Sequence, residues 1–223
     1  MLTTMSDDQP PPGAPTSTAR AERVTEWHVR VARHHLGPGP YLDHLCTDGR
    51  RLRLLSREGP ASGYVADATV VQRVREEAPG CPVVGDPDDL PDAGFHAVVA
   101  VEGLDALDDA GVLAAIDLWK RVLRPGGRVL VQAPDAGGRG PVLRGVERAP
   151  GDRDRGRWAE LLESGGLTIL RQGSDGLSRP PYGRVPAWLD VRLLSTSSQL
   201  SAGRLVLGPG SGEAAVFVAE VPG

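Results

Sequence analysis

Five consecutive apolar residues, Ala97-Val98-Val99-Ala100-Val101, constrain this chain more than any other feature. A strand that is apolar on both sides has to be covered on both faces, which is the situation of a parallel strand inside a layered α/β domain. Residues 109–123 follow, with Val112, Ile116, Trp119 and Val122 on one helical face. Pro125-Gly126-Gly127 then stops that helix, and residues 128–133 read as the next strand. The same alternation runs along the rest of the chain. Strands are expected at 41–45, 64–66 and 82–84, with helices at 50–57 and 70–78 between them. A further helix surrounds Trp158, Leu161 and Leu162, a strand covers 167–170, and a last apolar run spans 214–221. Repeated strand–helix units imply right-handed crossovers and a mainly parallel sheet with helices on both faces. Ligands of such sheets sit beyond the carboxyl ends of the strands, so the loops after residues 44, 66, 85 and 101 are the places to seek chemistry.

Residues 1–18 are polar and Pro-rich and read as a disordered tail, leaving 19–223 of the 223-residue chain as one domain of ordinary size. A helix from about Ala19 to Leu36 precedes the breaker Gly37-Pro38-Gly39-Pro40. The formal charge of -4 argues against general nucleic-acid binding, which needs a basic surface. Lys120 is the single lysine, so the basic residues are almost all arginine, a composition that reflects base bias in the coding sequence. Cys46 and Cys81 give neither a disulfide framework nor paired zinc-ligand spacing. No apolar run suits a signal peptide or a membrane span, so a cytoplasmic location away from membranes is expected.

The segment from Trp119 to Val131, WKRVLRPGGRVLV, closely resembles the late helix–turn–strand motif of class I S-adenosylmethionine (SAM) methyltransferases. Upstream, Phe95 to Glu102 resembles that family's fourth strand, with His96 where an aspartate is usual. Val84-Gly85-Asp86 resembles the loop whose acid contacts adenine, and Val65-Ala66-Asp67-Ala68-Thr69 the second strand, whose acid holds the ribose hydroxyls. A carboxylate suits that task because it accepts two hydrogen bonds at once. Trp158 to Leu167 and Gly212 to Phe217 resemble the later helix, sixth strand and approach to an antiparallel seventh strand. The resemblance spans about residues 20–222. It implies a three-layer, Rossmann-like, seven-stranded sheet, mostly parallel with an antiparallel last strand.

The family's first motif is an acid followed by glycines at alternate positions. The best register is Asp43-His44-Leu45-Cys46-Thr47-Asp48-Gly49, in which Leu45 and Thr47 replace two glycines. Those glycines let backbone approach the cofactor closely, and a Leu side chain can fill the space. A second register on Gly37-Pro38-Gly39 makes residues 31–35 a buried strand carrying Arg33, His34 and His35, which is costly, and is rejected. On the preferred register the resemblance implies SAM contacts from Asp43, Leu45, Gly49, Asp67, Ala68, Asp86, Pro87 and Val101.

Each of these residues also has an ordinary structural role. Asp67 suits a helix N-cap, Asp86 a turn, and Asp43 the ordering of the first loop. None of His28, His34, His35, His44 and His96 has convincing metal-ligand spacing. Some small-molecule members carry a histidine base after the fourth strand; Ala106 stands there in this chain, and no catalytic residue is assigned. Arg139, Arg144, Arg148, Arg153, Arg155 and Arg157 read as a solvated loop, or else as a lid recruiting an anionic substrate. Tyr182, Trp188 and Pro180-Pro181 fall in an insertion, about 174–210, where the family often builds its acceptor pocket. The expectation is a bacterial enzyme of specialised metabolism that methylates a small-molecule acceptor, with homo- or hetero-dimerisation open. The alternatives are an inactive methyltransferase-like binding or regulatory subunit, and a fold that binds SAM or another nucleotide for different chemistry.

Overall fold

The computed structural model describes residues 17–101, 103–138, 152–175, 203, 205, 207–212 and 214–223. Seven strands form one sheet: β1 (Tyr41–His44), β2 (Ala61–Tyr64), β3 (Val83–Val84), β4 (Phe95–Ala100), β5 (Leu123–Pro134), β6 (Thr168–Ser174) and β7 (Ala214–Glu220). Their spatial order is β3-β2-β1-β4-β5-β7-β6. Pairings among β1 to β5 are parallel, and β7 runs antiparallel to both neighbours, β5 and β6. The expected sheet, including its antiparallel last strand, is therefore the observed one.

Among the described residues the α-helices are α1 (Ser17–Leu36), α2 (Arg50–Leu55), α3 (Ala68–Glu77), α4 (Asp109–Val122) and α5 (Arg155–Ser164). Strand alternation explains the layering. In β4, Val98 and Ala100 join Ile116, Trp119, Trp158 and Leu161, contributed by α4 and α5. Ala97 and Val99 turn the other way, onto Trp27, Val31, Leu52 and Val74 of α1, α2 and α3. The strand β7 splits in the same manner, with Phe217 on the first face and Val216 and Val218 on the second. An apolar central strand is thus the direct consequence of helices on both faces.

Aspartates start three of the helices. Asp67 caps α3, Asp108 caps α4 and Asp154 caps α5, each accepting a hydrogen bond from a main-chain amide of the first turn. At its other end α4 stops when Leu123 turns extended and opens β5, which passes through Gly126 at φ 71° before pairing resumes at Arg128. Residues 31–35 lie in α1, which removes the rejected register as an alternative. β2 is displaced: it ends at Tyr64 rather than covering 64–66, because its small residues Ala61, Ser62 and Gly63 look like loop in the sequence. β5 and β6 are longer than expected, β5 starting at Leu123 rather than 128 and β6 running on to Ser174 rather than 170.

Candidate functional site

The strand order reverses between β1 and β4, and the loops leaving these strands flank the crevice expected of such a sheet. His44 pairs with Tyr64, and Tyr64 with Val84, so Leu45, Val65 and Gly85 leave the sheet along one edge. Asp43 lies opposite Val99, which brings Val101 out beside Leu45 on the same edge. The topology therefore gathers the loops that carry Leu45, Gly49, Asp67, Asp86 and Val101.

Within that edge the residues have different roles. Asp43 is fully buried, and its Oδ1 accepts a 2.7 Å hydrogen bond from Nε of Arg51, itself buried. Leu45 adopts φ 56°, the left-handed conformation natural to glycine, although it carries a branched side chain. That side chain packs on the core beside Gly103, which has φ 80°; a Cβ at Gly103 would stand 3.2 Å from Leu45 Cδ1. Thr47 presents its carbonyl oxygen to Nη2 of Arg73 at 2.7 Å. Gly49, at φ 79°, has no room for a Cβ, which would lie 3.0 Å from Glu77 Cβ and from the Val74 carbonyl oxygen. Its first role is thus to seat α2 on α3.

Asp67 stands three residues beyond β2, exposed, as the cap of α3, and Ala68 begins the helix. Its Oδ1 accepts from the Thr69 hydroxyl at 2.6 Å and from the Thr69 amide at 2.8 Å. These bonds hold its carboxyl below the usual range, the hydroxyl having the larger effect. Asp86 accepts from the Asp88 amide at 2.9 Å and introduces a 3₁₀ turn, Pro87–Asp89. The Pro87 carbonyl oxygen accepts from Nη2 of Arg121 at 2.6 Å. Val101 is buried and offers the edge only its main chain.

Tyr64 was not singled out by sequence reasoning. Burial raises its phenol pKa and the charge of Asp86 raises it further, which places the two side chains within electrostatic reach. Its ring lies 5.4 Å from that of His44, which also meets Trp119 edge-on at 5.4 Å. Burial, then the nearby Arg51 charge, pulls the His44 imidazole down to about 3, so it is neutral at pH 7. The signal available in the sequence was a tyrosine beside a strand end, too common a pattern to be read. His96 lies in the second position of β4, remote from the carboxyl edge, and Ala106 ends a short 3₁₀ turn.

Part of the arginine segment is ordered by specific contacts. Arg153 is nearly buried, donates to Asp109 Oδ1 at 2.7 Å and to the Leu107 carbonyl oxygen at 2.7 Å, and stacks 4.8 Å over Trp158. Arg157 donates to Asp109 Oδ2 at 2.6 Å. The solvated-loop reading is therefore corrected for these two: they clasp α5 to the start of α4. Arg139, Arg144, Arg148, Tyr182, Trp188 and the Pro180-Pro181 turn lie outside the described residues. Among the described residues no cluster of His, Cys, Asp or Glu is placed to hold a metal ion, and no helix is long and apolar enough to cross a membrane.

The carboxylates and backbone of this edge fit a nucleoside-bearing ligand in two respects. Two exposed acids stand at adjacent strand ends, and the first loop keeps left-handed turns at Leu45 and Gly49. The Leu45 side chain packs against Gly103 at the same edge.

Comparison with known proteins agrees with this geometry. A family model described as "Methyltransferase domain" matches residues 42–131. A TehB-like SAM-dependent methyltransferase from Corynebacterium glutamicum superposes with a TM-score of 0.59 at 16% identity, covering 88% of each chain. A Burkholderia thailandensis 1,6-didemethyltoxoflavin-N1-methyltransferase, solved with its substrate and S-adenosylhomocysteine, gives 0.60 at 14% identity over 93% of this chain and 82% of its own. The [4+2]-cyclase SpnF gives 0.58 at 20% identity over 92% and 82%. No curated protein matches.

Proposed function

We propose that this chain, a member of the class I SAM-dependent methyltransferase family, transfers a methyl group to a small-molecule acceptor. One observation carries the reading. The sheet order sets the loops of Leu45–Gly49, Asp67, Asp86 and Val101 along a single edge at the point where the order reverses. SAM, the cofactor of the family, supplies a sulfonium methyl group open to in-line attack.

On this reading Asp67 accepts from the ribose hydroxyls through the oxygen not engaged by Thr69, and Asp86 with the Pro87 turn holds adenine. The first loop, from Asp43 through Leu45 to Gly49, faces the methionine end through its main chain, and Ala68 and Val101 border the cleft. Asp43 acts at one remove, fixing the loop through its bond to Arg51. His44 is neutral, buried and packed between two rings, so it is a wall of the site and not its base. Catalysis rests on holding a nucleophilic acceptor in line, which alone is worth several orders of magnitude in rate.

A second reading has its own support: Leu45 packed on Gly103 suits a methyltransferase-like subunit that binds a partner and no longer methylates. Isothermal titration with SAM and with S-adenosylhomocysteine separates the two, run on the wild type and on Asp67→Asn. Asparagine keeps the helix cap and removes the charge, so folding is preserved while the ribose contact weakens. Roughly micromolar binding that the substitution reduces supports the enzyme and justifies an acceptor screen. A folded protein that binds neither compound removes the cofactor assignment and leaves the subunit reading.

A further inference from the structure

A cationic groove lies at the opposite end of the sheet from the cofactor edge. It encloses about 500 Å³ and is lined by His34, His35, Arg128, Leu170, Arg171 and Val218. Its position is set by pairing: Arg128 of β5 faces Glu220 at the end of β7, and Arg171 of β6 lies opposite Val218. The last turn of α1 supplies the two histidines, whose rings meet edge-on at 4.7 Å.

The charges in this groove are unbalanced. Arg128 gives its Nε to Glu220 at 3.0 Å and its Nη1 to the His35 carbonyl oxygen at 3.2 Å. Among the described residues no carboxylate answers Arg171, which stands on the edge strand. Nε2 of His35 is buried and has no hydrogen-bond partner among the described residues. Burial first, then the charges of His34, Arg171 and Arg128, pull the His35 imidazole down to about 4. A pairing irregularity between Ile169 and Arg171 turns Leu170 outward. It is the one exposed large hydrophobic among the described residues, at 42% exposure, and it forms an apolar lip beside the cations.

We infer that this groove binds a small organic oxyanion, a carboxylate or phosphate monoester with a short apolar body. The anion meets the Arg171 guanidinium and Nε2 of His35, while the apolar body lies against Leu170 and Val218. An anion gives Arg171 the opposite charge that it lacks among the described residues, and it gives the buried imidazole nitrogen an acceptor. The site is independent of the cofactor cleft and holds whichever reading of that cleft is correct.

The test follows the histidine ring resonances of the full chain by ¹H–¹⁵N NMR at constant ionic strength, titrating inorganic phosphate, butyl phosphate and butyrate separately. Expected is saturable binding of at least one of the three at roughly millimolar concentration, with the His35 pKa rising by about one unit as an anion arrives. Butyl phosphate should bind more tightly than inorganic phosphate, and Arg171→Gln should weaken binding about tenfold. Arg171 is exposed on an edge strand, so that variant keeps the fold; His35→Gln provides a second check. Linear, unsaturated shifts, or shifts that chloride reproduces, overturn the proposal, as does full affinity in both variants.

Discussion

At the scale of single residues, Leu45 concentrates the tension in this molecule. Its backbone follows the left-handed path at φ 56° that a glycine takes without cost, while its side chain packs on the core beside Gly103. A non-glycine residue in that conformation carries about 1 kcal/mol of strain. Half-burial of its side chain returns a similar amount, roughly 1–2 kcal/mol. Leu45→Gly removes both, so its unfolding free energy in urea should stay within about 1 kcal/mol of the wild type. Leu45→Ala keeps the strain and loses the packing, and should be about 1–2 kcal/mol less stable. The functional consequence is separable from both. If the side chain crowds the cofactor cleft, titration calorimetry will show Leu45→Gly binding S-adenosylhomocysteine at least about tenfold more tightly than the wild type, a gain of roughly 1.4 kcal/mol. Equal affinities would mean the side chain lies clear of the ligand. The sequence marked Leu45 and Thr47 as departures from the glycine pattern, yet it could not show that the backbone keeps the glycine conformation at Leu45. Nor could it show that Arg51, one of three arginines among the six arginines and leucines of a short helix, turns inward to meet Asp43.

Elements were legible wherever an apolar pattern was long enough to select a period. The strand β4 and the helix α4 stand where the apolar pattern placed them, and β5 covers the expected 128–133, because burial on both faces leaves little choice of register; the Pro-Gly-Gly turn lies inside β5 rather than before it. β2 was harder, since its inward positions are small. The reason appears in the packing: a Cβ on Gly63 would stand 2.9 Å from both Cys46 Sγ and Leu52 Cδ2. The absence of a side chain at Gly63 therefore lets α2 and the first loop settle onto the sheet. Gly63→Ala should cost about 1–3 kcal/mol by overpacking, read as a lower urea midpoint. Because the clash involves α2, the variant should also expose Cys46. Burial now pushes that thiol up to about 12, with the Asp43 charge adding to the effect, so it should be inert to thiol reagents in the folded wild type. Faster labelling of Cys46 in Gly63→Ala, at a denaturant concentration where both proteins are folded, is the expected result. An unchanged midpoint and labelling rate would show that Leu52 simply moves aside. The clasp of Arg153 and Arg157 on Asp109 was illegible for a different reason: it joins segments far apart in sequence, and arginines among glycines and aspartates read as solvated.

For the molecule as a whole, the interior charges predict how stability responds to pH. Arg51 sits at the centre: it pairs with Asp43, and its charge reinforces burial in depressing both His28 and His44 to about 3. His28 also gives or accepts a 2.8 Å hydrogen bond with Gln132, tying α1 to β5, and that bond only partly offsets the depression. His35 is held at about 4. The sign follows from proton counting. Unfolded histidines titrate near 6.5, so between that value and about 3 to 4 the unfolded chain binds protons that the folded chain refuses. The stability these three groups allow is complete above pH 6.5 and is lost as the pH falls through that window. Below about 3 they change nothing further. Asp67 and Asp109 work at lower pH, because their depressed carboxyls contribute stability above the unfolded carboxylate value and lose it as the pH falls through their folded values. The upper part of the acid limb therefore belongs to the histidines. Urea midpoints measured from pH 7.5 to 5 should fall with a slope equivalent to uptake of about two to three protons on unfolding. His44→Phe, which keeps a ring between Tyr64 and Trp119, should reduce that uptake by about one proton. A midpoint that is flat across this range would mean that His28 and His44 take up protons in the folded state, and the buried Asp43–Arg51 pair could not then be the fixed charge around which α1, β1 and α2 are assembled.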